Sequence, residues 1–283
     1  MKEFRGRVAV VTGAASGLGR AMAERFAREG MKLALADIDA AALAKTETEM
    51  KAAGATAIAV RADVSKAEDV ERLAKETLAA FGAVHVVVNN AGVSPLGAVW
   101  ENTVADWQWA LGVNLWGVIH GVRVFAPILL AQNTEAHIVN TASVAGLISP
   151  PGMGVYNVTK HAVVALTETL HHDLASKNAK VKCSVLCPAY VPTGIAESER
   201  NRPDELKNTS TEKSAVQLAL EENLRKAVQS GKLSAADIAQ ATFEAVRDER
   251  FYVLTHPKIL GAVRARMENI VEGREPTDPF GKP

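Results

Sequence analysis

The sequence is poor in aromatic residues, which make up 5% of its 283 positions, and it has no net charge, since 32 lysines and arginines balance 32 aspartates and glutamates. A balanced chain of this kind offers no electrostatic footprint for nucleic acid or for an anionic membrane surface. Cysteine is nearly absent. The only two, Cys183 and Cys187, lie four positions apart in one apolar segment, where an extended strand holds them too far apart to bond. Both are expected as small buried hydrophobes. No uninterrupted apolar segment reaches spanning length, and the first thirty residues mix Glu, Arg and a Gly-rich stretch where a leader would carry an apolar run. The expectation is a soluble, cytoplasmic protein. No linker rich in Gly, Ser or Pro and no internal repeat divides the chain, so residues 1–283 are read as a single domain. At this length about three-quarters of the unfolded surface can be buried without disulfide or metal.

What is abundant is alternation. Short runs rich in Val and Ala fall at 7–12, 32–37, 55–60, 84–89, 137–142, 181–187 and 251–255, and such runs suit strands buried on both faces. Amphipathic stretches of helical length lie between them, among them 18–29, 40–53 and 67–81, the last with Ser65 as its expected N-cap. The pattern predicts an α/β fold: one Rossmann-like, doubly wound parallel sheet of about seven strands with helices on both faces. After Pro192 the alternation breaks. The segment 196–232, with its polar stretch 197–213, is read as a substrate lid or insertion, and 272–283, with three prolines and two glycines, as a flexible tail.

The first strand runs directly into Thr12-Gly13-Ala14-Ala15-Ser16-Gly17-Leu18-Gly19, where a helix begins. A diphosphate must approach backbone N–H groups and a helix N-terminus there, and any Cβ on the turn would obstruct it. The second strand ends at Asp37, about 20 residues further on, where a carboxylate can accept hydrogen bonds from a ribose diol. A turn followed by a helix cap at Asp37 would explain each feature singly, but the order of strand, glycine turn, helix, strand and acid favours a dinucleotide. Asp37 would repel a 2′-phosphate and Ile38 offers no positive charge to offset it, so NAD is favoured over NADP.

Further along come Asn89-Asn90-Ala91-Gly92 after the fourth strand, Asn114, Ser143 after the fifth strand, and Tyr156-Asn157-Val158-Thr159-Lys160. Together with the glycine turn these motifs resemble the short-chain dehydrogenase/reductase family, from about residue 5 to 193 and more weakly to 255. The resemblance implies an oxidoreductase in which Asn114, Ser143, Tyr156 and Lys160 are the catalytic residues. The spacing agrees with it: Tyr156 and Lys160 are four apart and share one helix face. An ammonium about 4 Å from the phenol would supply the roughly 4 kcal/mol needed to lower its pKa by about three units. Tyr156 is thus expected as general acid/base and Ser143 as the hydrogen-bond donor to the substrate oxygen. Asn114 is implied to hold a water that relays protons from Lys160.

The resemblance also assigns cofactor contacts to Gly13, Ser16, Gly17, Leu18, Gly19, Asp37, Asp63, Val64, Asn90, Ala91, Gly92, Tyr156 and Lys160. Beyond the sixth strand it adds Pro188, Val191 and Thr193 for the nicotinamide carboxamide. The family usually has glycine after that proline, whereas this chain has Ala189. Apolar Val144, Leu147, Pro150, Pro151, Met153, Tyr190 and Ile195 are expected to line the substrate pocket, with Arg200 or Arg202 as additions from the lid. The substrate is read as a neutral, fairly hydrophobic secondary alcohol or ketone, aromatic and cyclic ones included, since no cation is placed to clamp an anion. The alternatives are an NADP-dependent carbonyl reductase and a non-catalytic dinucleotide sensor. A homodimer or homotetramer is implied, through helices near 107–130 and 155–176. His161, His171 and His172 lack same-face metal spacing, so no metal is expected, and Trp100, Trp107, Trp109 and Trp116 are read as core or interface packing.

Overall fold

The structure is a computed structural model that describes residues 1–209 and 214–281. Strands β1 (Val8–Thr12), β2 (Lys32–Asp37), β3 (Ala57–Arg61), β4 (Val86–Asn89), β5 (Ala136–Thr141), β6 (Val181–Leu186) and β7 (Tyr252–Val253) form one sheet in the order β3-β2-β1-β4-β5-β6-β7. Every pairing is parallel. The helices are α1 (Gly17–Arg28), α2 (Ala40–Ala52), α3 (Ala67–Phe81), α4 (Val104–Ala110), α5 (Gly117–Gln132), α6 (Gly154–Ser176), α7 (Ala215–Gln229), α8 (Ala235–Asp248) and α9 (Leu260–Val271), with a π-helix at Leu111–Trp116.

Alternation along the strands divides the core in two. Ala9 and Val11 of β1 face one side, where Met22 and Phe26 of α1 meet Phe243 of α8. Val10 faces the other, with Leu73 of α3, Phe125 and Leu129 of α5, and Leu170 of α6. Both faces are therefore covered, which is why the strands read as continuous apolar runs. The chain leaves β1 toward β2 and returns to its other flank as β4, so the strand order reverses there. That reversal opens a crevice at the carboxyl ends of β1 and β4, the place where open α/β sheets bind ligands.

A polar seam crosses this sheet. Asn89 Nδ2 donates to Asn140 Oδ1 at 2.8 Å, and Asn140 Nδ2 donates to Thr167 Oγ1 at 3.0 Å, all buried. Gly121 of α5 lies directly over it, and a Cβ there would fall 2.0 Å from Asn89 Oδ1. Glycine is what lets α5 settle on the sheet.

Several expectations need correction. Ser65 does not cap α3: Lys66 occupies the N-cap position without a side-chain bond, while Ser65 Oγ donates to Asp63 Oδ1 at 2.7 Å. The seventh apolar run contributes only two residues to the sheet, because Thr255 and His256 turn away to other partners. Of the tryptophans, Trp109 is core at 2% exposure, but Trp100 is 87% and Trp116 50% exposed, so packing within the chain does not explain those two. The unbroken helical run Val104–Gln132 is 29 residues long and contains an 18-residue window with a mean hydropathy of 1.5, which by length and composition alone is enough to cross a membrane. Here it lies along the sheet, with Phe125, Ala126 and Leu129 in the core.

The segment after β6 folds into short 3-10 turns at Gly194–Asn201 and Asp204–Leu206, followed by α7. Residues 210–213 of the expected lid and 282–283 of the expected tail lie outside the described residues. The described residues after Gly273 form no helix or strand, yet Arg274 N donates to Asn269 O at 2.8 Å and the Phe280 ring comes within 6.5 Å of Tyr190.

Candidate active site

One cleft runs along the carboxyl ends of the strands. Its walls begin at Gly13, Ser16, Gly17, Leu18 and Asp37, pass Asp63, Val64 and Asn90 to Gly92, and reach Ser143, Tyr156 and Lys160. Pro188, Val191 and Thr193 close the far side. Every cofactor contact expected from the sequence lines this cleft except Gly19, and Gly19 lies immediately behind the turn. A Cβ on it would stand 2.0 Å from Gly13 O, so glycine there packs α1 against the turn.

The turn itself is shaped as a cradle. Gly13 and Gly17 have φ of +66° and +53°, values that side chains disfavour, and a Cβ on Gly13 would meet Ala91 Cα at 3.0 Å. Ser16 precedes α1 without making a side-chain cap, and no acidic residue occupies the first turn. The N-terminal amides and the positive end of the helix dipole therefore meet no side-chain anion from the helix itself, which suits a diphosphate. Asp37 overlooks the turn, with Oδ2 accepting from Ala15 N at 3.0 Å and Oδ1 from Asp39 N at 3.1 Å. Arg61 is its register partner on β3, but no ion pair joins the two among the described residues. Asn90 is committed to the neighbouring strand, its N and Nδ2 donating to Thr12 Oγ1 and Thr12 O at 2.9 and 3.0 Å. These residues fit a nicotinamide dinucleotide.

At the other end, Ser143 follows β5 and caps a short 3-10 turn, Val144–Gly146, through an Oγ that accepts from Ala145 N at 3.2 Å. Its hydroxyl donates to Pro188 O at 3.2 Å, and Ser143 is close enough to the Tyr156 hydroxyl to favour its ionised form. Lys160, one turn beyond Tyr156 on α6, donates from Nζ to Thr141 O at 2.9 Å, and its ammonium lies 5.5 Å from the Tyr156 ring centre. Here an expectation fails. Burial pushes the Tyr156 phenol up to about 12, and burial pushes the Lys160 ammonium down to about 8. A lysine at that distance, partly engaged by a carbonyl and itself desolvated, does not offset the loss of water around the phenol.

Asn114 sits in the π-helix, a geometry frequent at functional sites. Its side chain is occupied: Oδ1 accepts from Val93 N at 2.8 Å, while Nδ2 donates to Val93 O at 2.9 Å and Thr159 Oγ1 at 3.1 Å. It ties the Gly92 loop to α6. A Cβ on Gly92 would lie 3.4 Å from Asn114 Oδ1 and 3.7 Å from Lys160 Nζ, so the three positions are neighbours. Ala189 has no positive φ, so replacing the family's glycine there imposes no left-handed backbone.

The substrate end departs from expectation in detail. Val144, Pro150, Met153, Tyr190 and Ile195 line it, whereas Leu147 turns into the core and Pro151 faces solvent. Sequence reading missed Trp109, Leu206, Leu224, Val228 and Phe280, which come from α4, the turns after β6, α7 and the tail. The apolar positions of α7 were a usable signal, but nothing local says which face meets the cleft. Arg202 is no substrate clamp. It is buried, with Nη1 2.8 Å from Asp106 Oδ1 and its guanidinium 5.0 Å from the Trp109 ring, and it pins the turns after β6 to α4. Arg200 reaches the cleft but donates to Gly194 O and Glu197 O at 2.8 Å. Charges among the described lining residues are limited to Asp37, Asp63, Lys160 and Arg200.

Comparison with known proteins agrees with this geometry. The family model described as short chain dehydrogenase matches residues 7–204. A crystal structure of a short chain dehydrogenase/reductase from Burkholderia phymatum in complex with NAD superposes with a TM-score of 0.98 at 58% identity, covering 100% of both chains. A dehydrogenase/reductase of CLA biosynthesis from Lactiplantibacillus plantarum is 35% identical over 98% of this chain and 97% of its own. A C alpha-dehydrogenase from Sphingobium sp. (strain NBRC 103272 / SYK-6) is 32% identical over 99% and 91%. With the crevice, the glycine cradle and the Ser143, Tyr156 and Lys160 cluster in one cleft, and with its model matching most of the length, the chain belongs to the short-chain dehydrogenase family of oxidoreductases.

Proposed function

We propose that the protein is an NAD-dependent dehydrogenase that interconverts a neutral, hydrophobic secondary alcohol and its ketone, with Tyr156 as general acid/base. The observation that carries this reading is the convergence of Ser143, Tyr156 and Lys160 in a cleft whose other end is the glycine cradle under Asp37. The nicotinamide dinucleotide supplies the hydride acceptor or donor and, when oxidised, a positive charge. Gly13 to Leu18 hold its diphosphate and Asp37 its adenosine ribose. Asp63 and Val64 border the adenine, Asn90 to Gly92 the adenosine side, and Val191 and Thr193 the carboxamide.

Tyr156 Oη takes the alcohol proton during oxidation and returns it during reduction. Burial, with smaller contributions from Cys187 and Tyr190, holds the phenol up to about 12, so its ionisation draws on positive charge beyond that of Lys160. Ser143 stabilises the substrate oxygen by turning its hydroxyl away from Pro188 O. That carbonyl keeps a partner when it does so, since Val144 N also donates to it at 3.0 Å. Asn114 orients Lys160 and the Gly92 loop, and Lys160 passes the proton on toward solvent.

The substrate end supports a neutral, apolar, bulky ligand, because Trp109, Met153, Tyr190, Leu206 and Phe280 surround it while Arg200 is spent on carbonyls. The aromatic side chains in that lining, Trp109, Tyr190 and Phe280, make aromatic alcohols the first to test. A panel of aryl, cyclic and aliphatic secondary alcohols with NAD, read by absorbance of the reduced cofactor, should give turnover strongest for bulky apolar members. Turnover confined to charged alcohols would overturn the substrate class. The segment 196–232 acts as the lid in this reading, and the enzyme is a soluble, cytoplasmic homodimer or homotetramer. Val118, Phe125 and Val163 are buried within the single chain, so assembly rests on what stays exposed beside them, Trp116 and Val158. Light scattering at micromolar concentration should give a multiple of the chain mass, and a monomer mass would remove the proposal.

A further inference from the structure

His256 lies outside every motif of the family and outside the lining of the cleft, yet it touches the segment that closes it. It follows β7, where the chain leaves the sheet. Ala189 N donates to His256 Nδ1 at 3.1 Å, and Thr255 Oγ1 lies 2.9 Å from the same nitrogen. A backbone N–H can only donate, so Nδ1 must carry the lone pair and the ring proton must sit on Nε2. Nε2 is buried and makes no hydrogen bond among the described residues, although the Tyr190 backbone lies beside the ring. Burial also holds the imidazole below its ordinary pKa, which keeps Nδ1 free to accept.

Ala189 N and Pro188 O belong to one planar peptide group. On its nitrogen side that plane is held by His256; on its oxygen side it accepts from Ser143 Oγ at 3.2 Å and Val144 N at 3.0 Å. The plane is thus gripped from two elements, β7's extension and the turn after β5, and the residues that follow it, Tyr190, Val191 and Thr193, line the cleft. Resting on the dehydrogenase reading above, we propose that His256 is a positioning residue, whose Nδ1 fixes the Pro188–Ala189 peptide so that Ser143 and the nicotinamide-holding segment keep their geometry. The role is specific to this chain's use of Ala189. With glycine's extra backbone freedom absent, the hydrogen bond selects one orientation of a plane that has few others.

The test compares His256→Leu, His256→Asn and His256→Gln, measured for kcat, KM and NAD binding with the best alcohol of the panel, alongside melting temperature. Asn places an acceptor where Nδ1 stands, and Gln places one where Nε2 stands. The expected result is a fall in kcat of about tenfold in the Leu and Gln variants, equivalent to ~1.4 kcal/mol, with KM and NAD affinity within about twofold and kcat of the Asn variant within about threefold of the wild type. Should the Leu variant fail to fold, the Asn and Gln variants still decide the matter. Equal kcat in those two, or a Leu variant with wild-type kcat, would overturn the role of His256 alone. A wild type inactive toward the whole panel would overturn the dehydrogenase reading, and this role with it.

Discussion

Tyr156→Phe should lower turnover by about 10²–10⁴-fold, the range a general acid/base contributes, and leave NAD affinity nearly unchanged. The substitution deletes only the hydroxyl beside Ser143 and leaves the ring in place on α6. Nothing in the glycine cradle or at Asp37 depends on that oxygen. Titration of cofactor binding by fluorescence, beside steady-state turnover, separates the two effects. Turnover within about tenfold of wild type would refute Tyr156 as the proton carrier. Loss of NAD binding together with activity would mean that the ring's hydroxyl supports the cofactor site, and the division of labour would have to be redrawn.

Replacing Asp37 with Ala and Ile38 with Arg should shift cofactor preference from NAD toward NADP by more than tenfold. Both side chains line the cleft beside the cradle. A carboxylate and a phosphate about 4 Å apart repel by roughly 4 kcal/mol at an effective dielectric of 20, before salt reduces it. Even half of that exceeds a factor of ten in affinity. The ratio of kcat/KM with NAD to that with NADP, in wild type and double variant, is the measurement. A wild type equally competent with NADP would show that Asp37, whose two oxygens already accept from Ala15 N and Asp39 N, does not oppose the 2′-phosphate. The NADP-dependent carbonyl reductase would then be the better reading.

Much of this molecule is legible in its sequence where a feature depends on residues close together in the chain. The strand cores, the glycine turn and the Tyr156 and Lys160 pair are local patterns, and the parallel, doubly wound sheet follows once alternating strands and helices are recognised. What was not legible depends on partners far along the chain. Ser65 reads as a cap, but Asp63 competes for its hydroxyl. The phenol's upward shift comes from burial by elements that meet only in the folded state. Arg202 looks like a free cation until Asp106, nearly a hundred positions earlier, is found 2.8 Å away in a buried site. The substrate wall is hardest of all, because Trp109, Leu224 and Phe280 converge from three separate regions and none belongs to a motif.

The seating of the chemistry and of that wall on different parts of the chain has an evolutionary consequence. Ser143, Tyr156 and Lys160 hang from β5 and α6, which are bonded into the sheet and its core. Much of the substrate wall comes from elsewhere: Trp109 from α4, Leu206 from a turn after β6, Leu224 from α7 and Phe280 from the tail. Mutation can therefore explore the second group without disturbing proton transfer or cofactor geometry. A lineage built this way can acquire new substrates by drift in segments that cost little to alter, while the reaction it performs on them stays the same.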